Sequence, residues 1–495
     1  VVNMRTTAWT SAIAAGLAAV AAAVIMPVSP SPSGQSTGDA ALARAVRQVA
    51  SPWAGHAGLS VALIADGVTR TAGIGADRLP EGRPVGLRTL FEFGSVTKAM
   101  TAMLFADMVE KGEVRPQTTL ASLLPELRGS AVAATSLEEL AQHRSGIPGV
   151  APSLGVPALL GSLVGGNPYG GQSATDVVAD AVRAVPAGKG EISYSNHGFA
   201  LLGQALAARA GTTYGALLRD RLLGPLGMRD TVLIGDAAAL PADRARGYLT
   251  SGQEARPWSS EGYAPAGAGG WTTAEDLARF VSALLEGTAP GMSATTPRRQ
   301  IAPGDQIGYG WRVTDGITWH NGDTGGFSSY VGFDAKARRG VVVLGNTSAP
   351  VDSIGLALLG ADAPTPGQQL VFELPAIALS VLGLLAVART VEVATRRGRR
   401  RLLPPPDRLK LLTMTWRAMV LLALLLPLGA WNVLWPALWP AAAALLAAGV
   451  TAGLLRAPRL PLAREPRRGR WVTSAASLLL WSVVAAALAV AWAVR

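Results

Sequence analysis

The run Leu90-Phe91-Glu92-Phe93-Gly94-Ser95-Val96-Thr97-Lys98-Ala99-Met100 changes its period part-way along. An apolar, β-prone start from Leu90 to Phe93 gives way through Gly94 to a helical pattern. In it Met100, Met103, Leu104 and Met108 share one face until Gly112 closes the run. The spacing predicts a helix over 97–111 with Ser95 at its entrance. A helix N-terminus offers unpaired N–H groups and the positive end of the dipole, and Lys98, three residues on, lies on the same face. Its amine can reach the serine oxygen. If desolvated it can be neutral enough to take the hydroxyl proton; as a cation it can assist another base. Serine at a helix start is also an ordinary N-cap, so this motif needs company before it means catalysis.

Working outward, Leu59-Ser-Val-Ala-Leu-Ile-Ala65 alternates, Asp66-Gly67 turns, and Arg70 to Gly75 returns, which reads as a β-hairpin. Phe199 to Ala210 and Ala274 to Leu285 read as helices. Tyr309 to Val313, Ile317 to His320, Ser329 to Phe333 and Val341 to Leu344 are short strands between Gly- and Asp-containing turns. Strands, then helices, then strands predicts an α+β domain: an antiparallel sheet joining both ends of the chain, flanked by helices, with a helical subdomain.

At 495 residues the chain has room for more than one domain, and its formal charge of +11 needs locating. Residues 371–495 hold 16 Lys and Arg against 4 Asp and Glu, which leaves 28 against 29 in residues 1–370. All the basicity is therefore in the tail, clustered between apolar runs near 370–388, 411–428, 435–455 and 471–494. Each is long enough to cross a bilayer as a helix. Arg396, Arg397, Arg399, Arg400 and Arg401 follow the first run, and Arg464, Arg467, Arg468 and Arg470 the third, a cytoplasmic-loop pattern that speaks against nucleic acid as partner. Cytoplasmic arginine loops place the segment before Leu370 outside. Arg5 followed by apolar Ala8–Met26 and a Pro/Ser-rich exit reads independently as a signal peptide or N-terminal anchor. The expected domains are 1–38 (export segment and linker), 39–366 (globular domain) and 367–495 (four transmembrane helices). Abundant Ala, Arg and Gly look like a high-GC bacterial coding bias. With no cysteine there is no disulfide framework, and His56, His143 and His197 match no metal-ligand spacing.

Two further groups of residues carry chemistry. Tyr194-Ser195-Asn196 precedes the Phe199 helix: a phenol near a serine and a cationic lysine can act as general base, and an Asn amide can orient a carbonyl or the lysine. Core packing for Tyr194 and helix capping for Asn196 are the plainer alternatives. His320-Asn-Gly322 ends a strand and is followed by Asp323. Glycine there admits a close approach of substrate backbone, and the N–H just after Gly322 can form an oxyanion hole with that of Ser95.

Together, in this order and spacing, these pieces resemble the serine β-lactamase and penicillin-binding protein superfamily, particularly its branch of class C β-lactamases, D-alanyl-D-alanine carboxypeptidases and related esterases. The resemblance spans roughly residues 40–350. It extends to Gln142-His-Arg-Ser-Gly-Ile-Pro148, Leu222-Leu-Gly-Pro-Leu-Gly-Met228, Ala266-Gly-Ala-Gly-Gly-Trp-Thr-Thr-Ala-Glu-Asp-Leu277 and Tyr309-Gly-Trp311. It implies Ser95 as acylated nucleophile, Lys98 as activator, Tyr194 as proton shuttle, Asn196 as substrate-orienting amide and His320 as partner of the tyrosine and substrate, with Gly322 and Asp323 at the substrate edge. It implies no cofactor and no metal. His320 stands where β-lactamases and carboxypeptidases usually have the Lys of Lys-Thr-Gly; a largely neutral imidazole supplies less charge toward a substrate carboxylate. His-x-Gly looks like the version in esterase- and peptidase-like relatives.

The expectation is an extracytoplasmic, multi-pass membrane serine hydrolase working through an acyl-enzyme on a small-molecule or peptide amide or ester, of the D-amino-acid cell-wall class. The alternatives are a β-lactamase and a non-catalytic ligand-binding sensor. Transport through the tail helices is disfavoured because the apolar runs hold hardly any charge.

Overall fold

The computed structural model describes residues 4–26, 28–32, 34–50, 55–363, 366–395, 407–463 and 468–493. They form two compact units, one of Pro30–Leu249 with Glu254–Gln368, the other of Val1–Ser29, Thr250–Gln253 and Gln369–Ala493.

The first unit is built on an antiparallel sheet. Strand β1 (Ser36–Gly38) pairs with β3 (Val68–Gly75), which pairs with β2 (Gly58–Ala65). Asp66 and Gly67 both have positive φ, 51° and 78°, which suits the two-residue turn that joins twisted strands. A small second sheet holds β4 (Phe91–Glu92), β5 (Val232–Leu233) and β6 (Gly270–Thr272). The main sheet resumes with β7 (Arg299–Ala302), β8 (Asp305–Ile307), β9 (Arg312–Thr314), β10 (Ile317–Asp323), β11 (Ser328–Asp334) and β12 (Arg339–Gly345), in the order β1-β3-β2-β12-β11-β10-β9-β8-β7. Because β12 pairs with β2, from Leu59↔Gly345 to Ala65↔Arg339, the two ends of the unit meet in one sheet as expected.

Period-two alternation sends successive side chains to opposite layers. Leu59, Val61, Leu63, Val341 and Val343 face the helices Ala40–Val49 and Asp352–Leu359. Ala62, Ile64, Val342 and Leu344 face the larger core, which holds the helix Val96–Glu110. That helix is buried on every face from Val96 to Met108, as an all-round apolar helix must be. Helices Asn196–Ala210 and Ala274–Glu286 lie where expected.

Two local expectations differ. Tyr309 to Val313 is not one strand: β8 ends at Ile307, β9 starts at Arg312, and between them the Gly310 N–H donates to Ala141 O at 2.8 Å. The chain leaves the sheet there to satisfy a neighbouring carbonyl, a tertiary demand that local alternation does not encode. Ser36–Gly38, read as linker, forms the edge strand β1, which is too short and polar to carry a strand pattern.

The second unit contains helices Met4–Ile25, Pro366–Thr395 from Gln369 onward, Arg408–Leu428, Leu438–Arg456 and Arg468–Ala493, and among the described residues five helices are long and apolar enough to cross a membrane. Ala22, Val387, Leu425, Trp439 and Leu446 pack in one cluster. Indole N–H groups of Trp431 and Trp439 donate to Leu425 O and Leu422 O, at 2.7 and 2.9 Å, so these two donors are satisfied within the apolar bundle. The third run begins later than expected, Trp435 to Ala437 being link rather than helix. Arg396, Arg397, Arg399, Arg400, Arg401, Arg464, Arg467 and Val494 lie outside the described residues.

Candidate active site

Ser95 occupies the N-cap position of the helix Val96–Glu110, yet its side chain makes no capping hydrogen bond. Its oxygen is used otherwise. Lys98 Nζ donates to Ser95 Oγ at 2.7 Å and the Tyr194 hydroxyl donates to it at 2.8 Å. Lys98 also donates to Ala266 O at 2.5 Å and sits 4.8 Å from the centre of the Tyr194 ring. Lys98 is fully buried, and loss of hydration pushes its pKa well below the usual amine value. Burial raises the Tyr194 phenol, with the hydrogen bond to Ser95 opposing; the residue is 51 % exposed, which limits that effect. Both directions favour a neutral amine beside a neutral phenol. At 2.7 Å, a neutral amine can accept the serine proton.

The backbone around Ser95 depends on two close approaches. Gly94 has φ +48°, and a Cβ there would lie 2.9 Å from Asp323 O and 3.0 Å from Asp323 N. A Cβ at Gly322 would lie 2.3 Å from Phe93 O and 2.8 Å from Ser95 N. Only glycines let β10 run this close to the serine. Among the described residues no backbone carbonyl takes the Ser95 N–H, which with the Asp323 N–H provides two donors of oxyanion-hole type.

Ser95, Tyr194, Asn196, Gly322 and Asp323 line one cleft of about 260 Å³, completed by Tyr169, Trp258, Ala266, Gly267, Ala268 and Asn321. Asn196 is the first helical residue, while Ser195 caps the helix by accepting from the Gly198 N–H at 2.9 Å. Asn196 Nδ2 donates to the Tyr169 hydroxyl at 2.8 Å rather than bonding Lys98. Tyr169 stacks on Tyr263 at 4.4 Å and meets Trp258 edge-on at 5.3 Å, giving one wall an aromatic character. His320 lies on the other side of Tyr194, in an adjoining cavity of about 360 Å³ that also includes His143, Arg312 and Trp319. Burial, with Lys98 adding, pushes its imidazole down to about 3, and its Nδ1 lies 2.5 Å from Asn321 O. Arg312 pairs with Asp305, and Asp323, raised by burial and opposed by Ser328, brings a carboxylate to the cleft.

Sequence reasoning assigned no role to Tyr169, Trp258, Ala266 or Glu92. Glu92 Oε1 accepts the Trp258 N–H at 2.6 Å, and burial raises its carboxyl to about 8. Of these, Glu92 lies in the β-prone stretch Leu90 to Phe93 and Ala266 in a segment that carries the family resemblance. Tyr169 and Trp258 come from loops, where no period marks a residue as facing a cleft.

A family model for beta-lactamase matches residues 45–363. The unguisins hydrolase ungD' of Aspergillus campestris is 27% identical over 358 residues, 65% of this chain and 64% of that protein, so the chain spans less than two thirds of that relative. A beta-lactamase of Lysobacter lactamgenus is 26% identical over 371 residues, 65% of this chain and 90% of that one. Among solved structures, the D-alanine carboxypeptidase AmpC from Burkholderia cenocepacia is similar with a TM-score of 0.53 and 26% identity, over 65% of this chain and 99% of that chain. The region matched contains the whole Ser95 cleft, and with it this chain belongs to the beta-lactamase family and is a serine hydrolase of the beta-lactamase and penicillin-binding protein type.

Proposed function

We propose that Ser95 is acylated by an amide or ester substrate outside the membrane, that water then releases the acyl group, and that the substrate class is a D-amino-acid peptide. The observation that carries this reading is the pair of contacts on Ser95 Oγ, Lys98 Nζ at 2.7 Å and Tyr194 OH at 2.8 Å. As Oγ attacks the carbonyl carbon, the serine proton passes to the Lys98 amine. The carbonyl oxygen becomes an oxyanion facing the N–H groups of Ser95 and Asp323. When the bond to the leaving group breaks, Tyr194 delivers its proton to that group and is re-protonated from Lys98. Water repeats the sequence on the acyl-enzyme, with Lys98 taking its proton and Ser95 recovering one. The D-amino-acid class is supported by the similarity to a D-alanine carboxypeptidase.

A membrane-bound, extracytoplasmic placement is supported by the five apolar helices and by the arginine clusters of residues 396–401 and 464–470. In this reading residues 39–366 are the hydrolase, 1–38 the export or anchoring segment, and 367–495 the membrane region.

β-Lactam hydrolysis is the second reading, supported by the family match; the neutral His320 and the carboxylate of Asp323 bear equally on β-lactams and on peptides with a free C-terminal carboxylate, since both present an anion, so they do not choose between the two. The test is intact mass spectrometry of the full chain in detergent after a fluorophosphonate, a penicillin or a D-alanyl-D-alanine peptide, with Ser95→Ala as control. Ser95-dependent labelling with peptide turnover supports the proposal, and rapid penicillin turnover supports the second reading. A folded protein that no reagent labels would leave a ligand-binding role instead.

A further inference from the structure

Among the described residues, His143 is the one that grips Tyr194 from both of its flanks. Its carbonyl accepts the N–H of Ser193 at 2.8 Å, and its Nδ1 accepts the N–H of Ser195 at 3.1 Å. Between those two bonds its ring lies against the Tyr194 ring, centres 4.5 Å apart and 32° from parallel, with Phe199 4.6 Å away on the helix that follows. The arrangement requires His143 itself to be held in the left-handed region, φ +55°, which few side chains other than Asn, Asp and His occupy readily. The residue is 6 % exposed. Neighbouring bonds extend the grip: Gly146 O accepts from Ala187 N and Gly149 O from Asn196 N, at 2.9 and 3.2 Å. The segment 143–149 is thus a backbone platform under residues 187–196.

We propose that His143 is the positioning residue of Tyr194, its neutral imidazole and carbonyl fixing residues 193 and 195 so that the intervening phenol reaches Ser95 Oγ and covers Lys98. This rests on the reading of Ser95 as nucleophile and adds to it a residue that touches no substrate atom. An Nδ1 acceptor places the ring proton on Nε2, so the bond to Ser195 exists only while the imidazole is uncharged. Burial, with Lys98 and His320 adding, holds the pKa well below the usual imidazole value, consistent with that requirement. The titratable or charged groups that face this cluster are Lys98 from the serine helix, His320 and Asp323 from β10, Arg312 from β9 and Tyr169 across the cleft.

Two variants separate positioning from simple structural support. His143→Asn puts an amide oxygen near the Nδ1 position and tolerates the positive φ. His143→Phe keeps a ring against Tyr194 but leaves the Ser195 N–H buried without an acceptor. In the full chain in detergent, the rate constant for Ser95 labelling by a fluorophosphonate is measured from pH 5 to 9, per titrated active site and beside a thermal melt. The Phe variant is expected to label roughly 10- to 100-fold more slowly. The acidic limb of its pH profile is expected to move up by roughly one unit as water reaches Lys98. The Asn variant is expected within about fivefold of wild type, with the wild-type limb, because the acceptor is restored. A Phe variant that keeps the wild-type rate and limb per active site overturns the assignment, as does an equal loss in both variants that follows only the folded fraction. If folded wild type is not labelled at Ser95, the nucleophile reading fails and this one with it; labelled wild type with unchanged variants removes His143 alone.

Discussion

Replacing Gly322 by alanine is the sharpest perturbation of the proposed oxyanion site, because it exchanges one hydrogen for a methyl group and adds no charge. The added Cβ would start 2.3 Å from Phe93 O, 2.7 Å from Ser329 Oγ and 2.8 Å from Ser95 N. The serine hydroxyl can rotate away, but the two backbone atoms cannot. Ordinary contact needs about 3.5 Å, so β10 must withdraw from the serine turn by roughly 1 Å. Asp323 N, the next residue's donor, moves with it. A donor displaced that far loses most of its hold on an oxyanion, and removal of one such donor costs about 100- to 1,000-fold in rate. The expected outcome is therefore a fall of about 100-fold in the Ser95 acylation rate constant, with the fold retained and a stability loss of about 1–3 kcal/mol from overpacking. Stopped labelling with a chromogenic ester, followed by mass spectrometry of the Ser95 peptide, gives the rate, and a chemical melt gives the stability. A variant that melts as expected but acylates at the wild-type rate would refute the assignment of the Asp323 N–H to the oxyanion site.

Other residues give independent checks. Lys98→Met should reduce acylation by about 1,000-fold, within the range for loss of a general base; wild-type acylation should rise with pH through the depressed Lys98 value and then level, since only the neutral amine accepts a proton, and a profile that rises only near the ordinary lysine value contradicts this. Asp323→Asn should speed acylation by an anionic penicillin about 10-fold relative to a neutral ester, the screened effect of removing one nearby charge from an exposed edge; equal changes for both reagents would show that the carboxylate selects against nothing. Glu92 binds its proton more tightly folded than unfolded, with a carboxyl raised to about 8 from 4.5, so it contributes stability that falls as pH rises through that window. Glu92→Gln should match wild type near pH 4.5 and melt progressively higher than it toward pH 8, whereas parallel melting curves across the window would mean the carboxyl is not buried as described.

The sequence shows the central strands contributed by the two ends of the unit, because β2, β11 and β12 send successive apolar residues to packed layers on both faces. It shows the serine helix because that helix carries its apolar residues at helical spacing. It does not show β7, whose side chains are exposed, nor the break at Tyr309-Gly-Trp311, where Tyr309 N donates to Ala294 O and Gly310 N to Ala141 O, the latter in a segment more than a hundred residues away. The same distinction governs the site. Ser95, Lys98, Tyr194 and Asn196 are legible as a motif of chemically suggestive types, but Tyr169 and Trp258 are loop residues whose orientation comes from Asn196 and Glu92. His143 is harder still, since its function is expressed through one carbonyl and one ring nitrogen aimed at another segment's backbone.

The proton inventory follows from burial rather than from motif. Sequence alone leaves two ways to activate Ser95, a neutral lysine or a phenolate beside a cationic lysine. Hydration lost around Lys98 disfavors its cation, and burial around Tyr194 disfavors its anion, so the two effects select the same pair of uncharged groups. An ion pair in their place would have to overcome both penalties at once, with the amine 4.8 Å from the centre of the Tyr194 ring. In the proposed mechanism the tyrosine is then a relay and the lysine the base. A relay must be held in place more strictly than a base that is already within 2.7 Å of its serine on the same helix, since Tyr194 arrives from a different segment and is half exposed. That asymmetry is why the support gathers under residues 187–196, and why the backbone of 143–149 lies there.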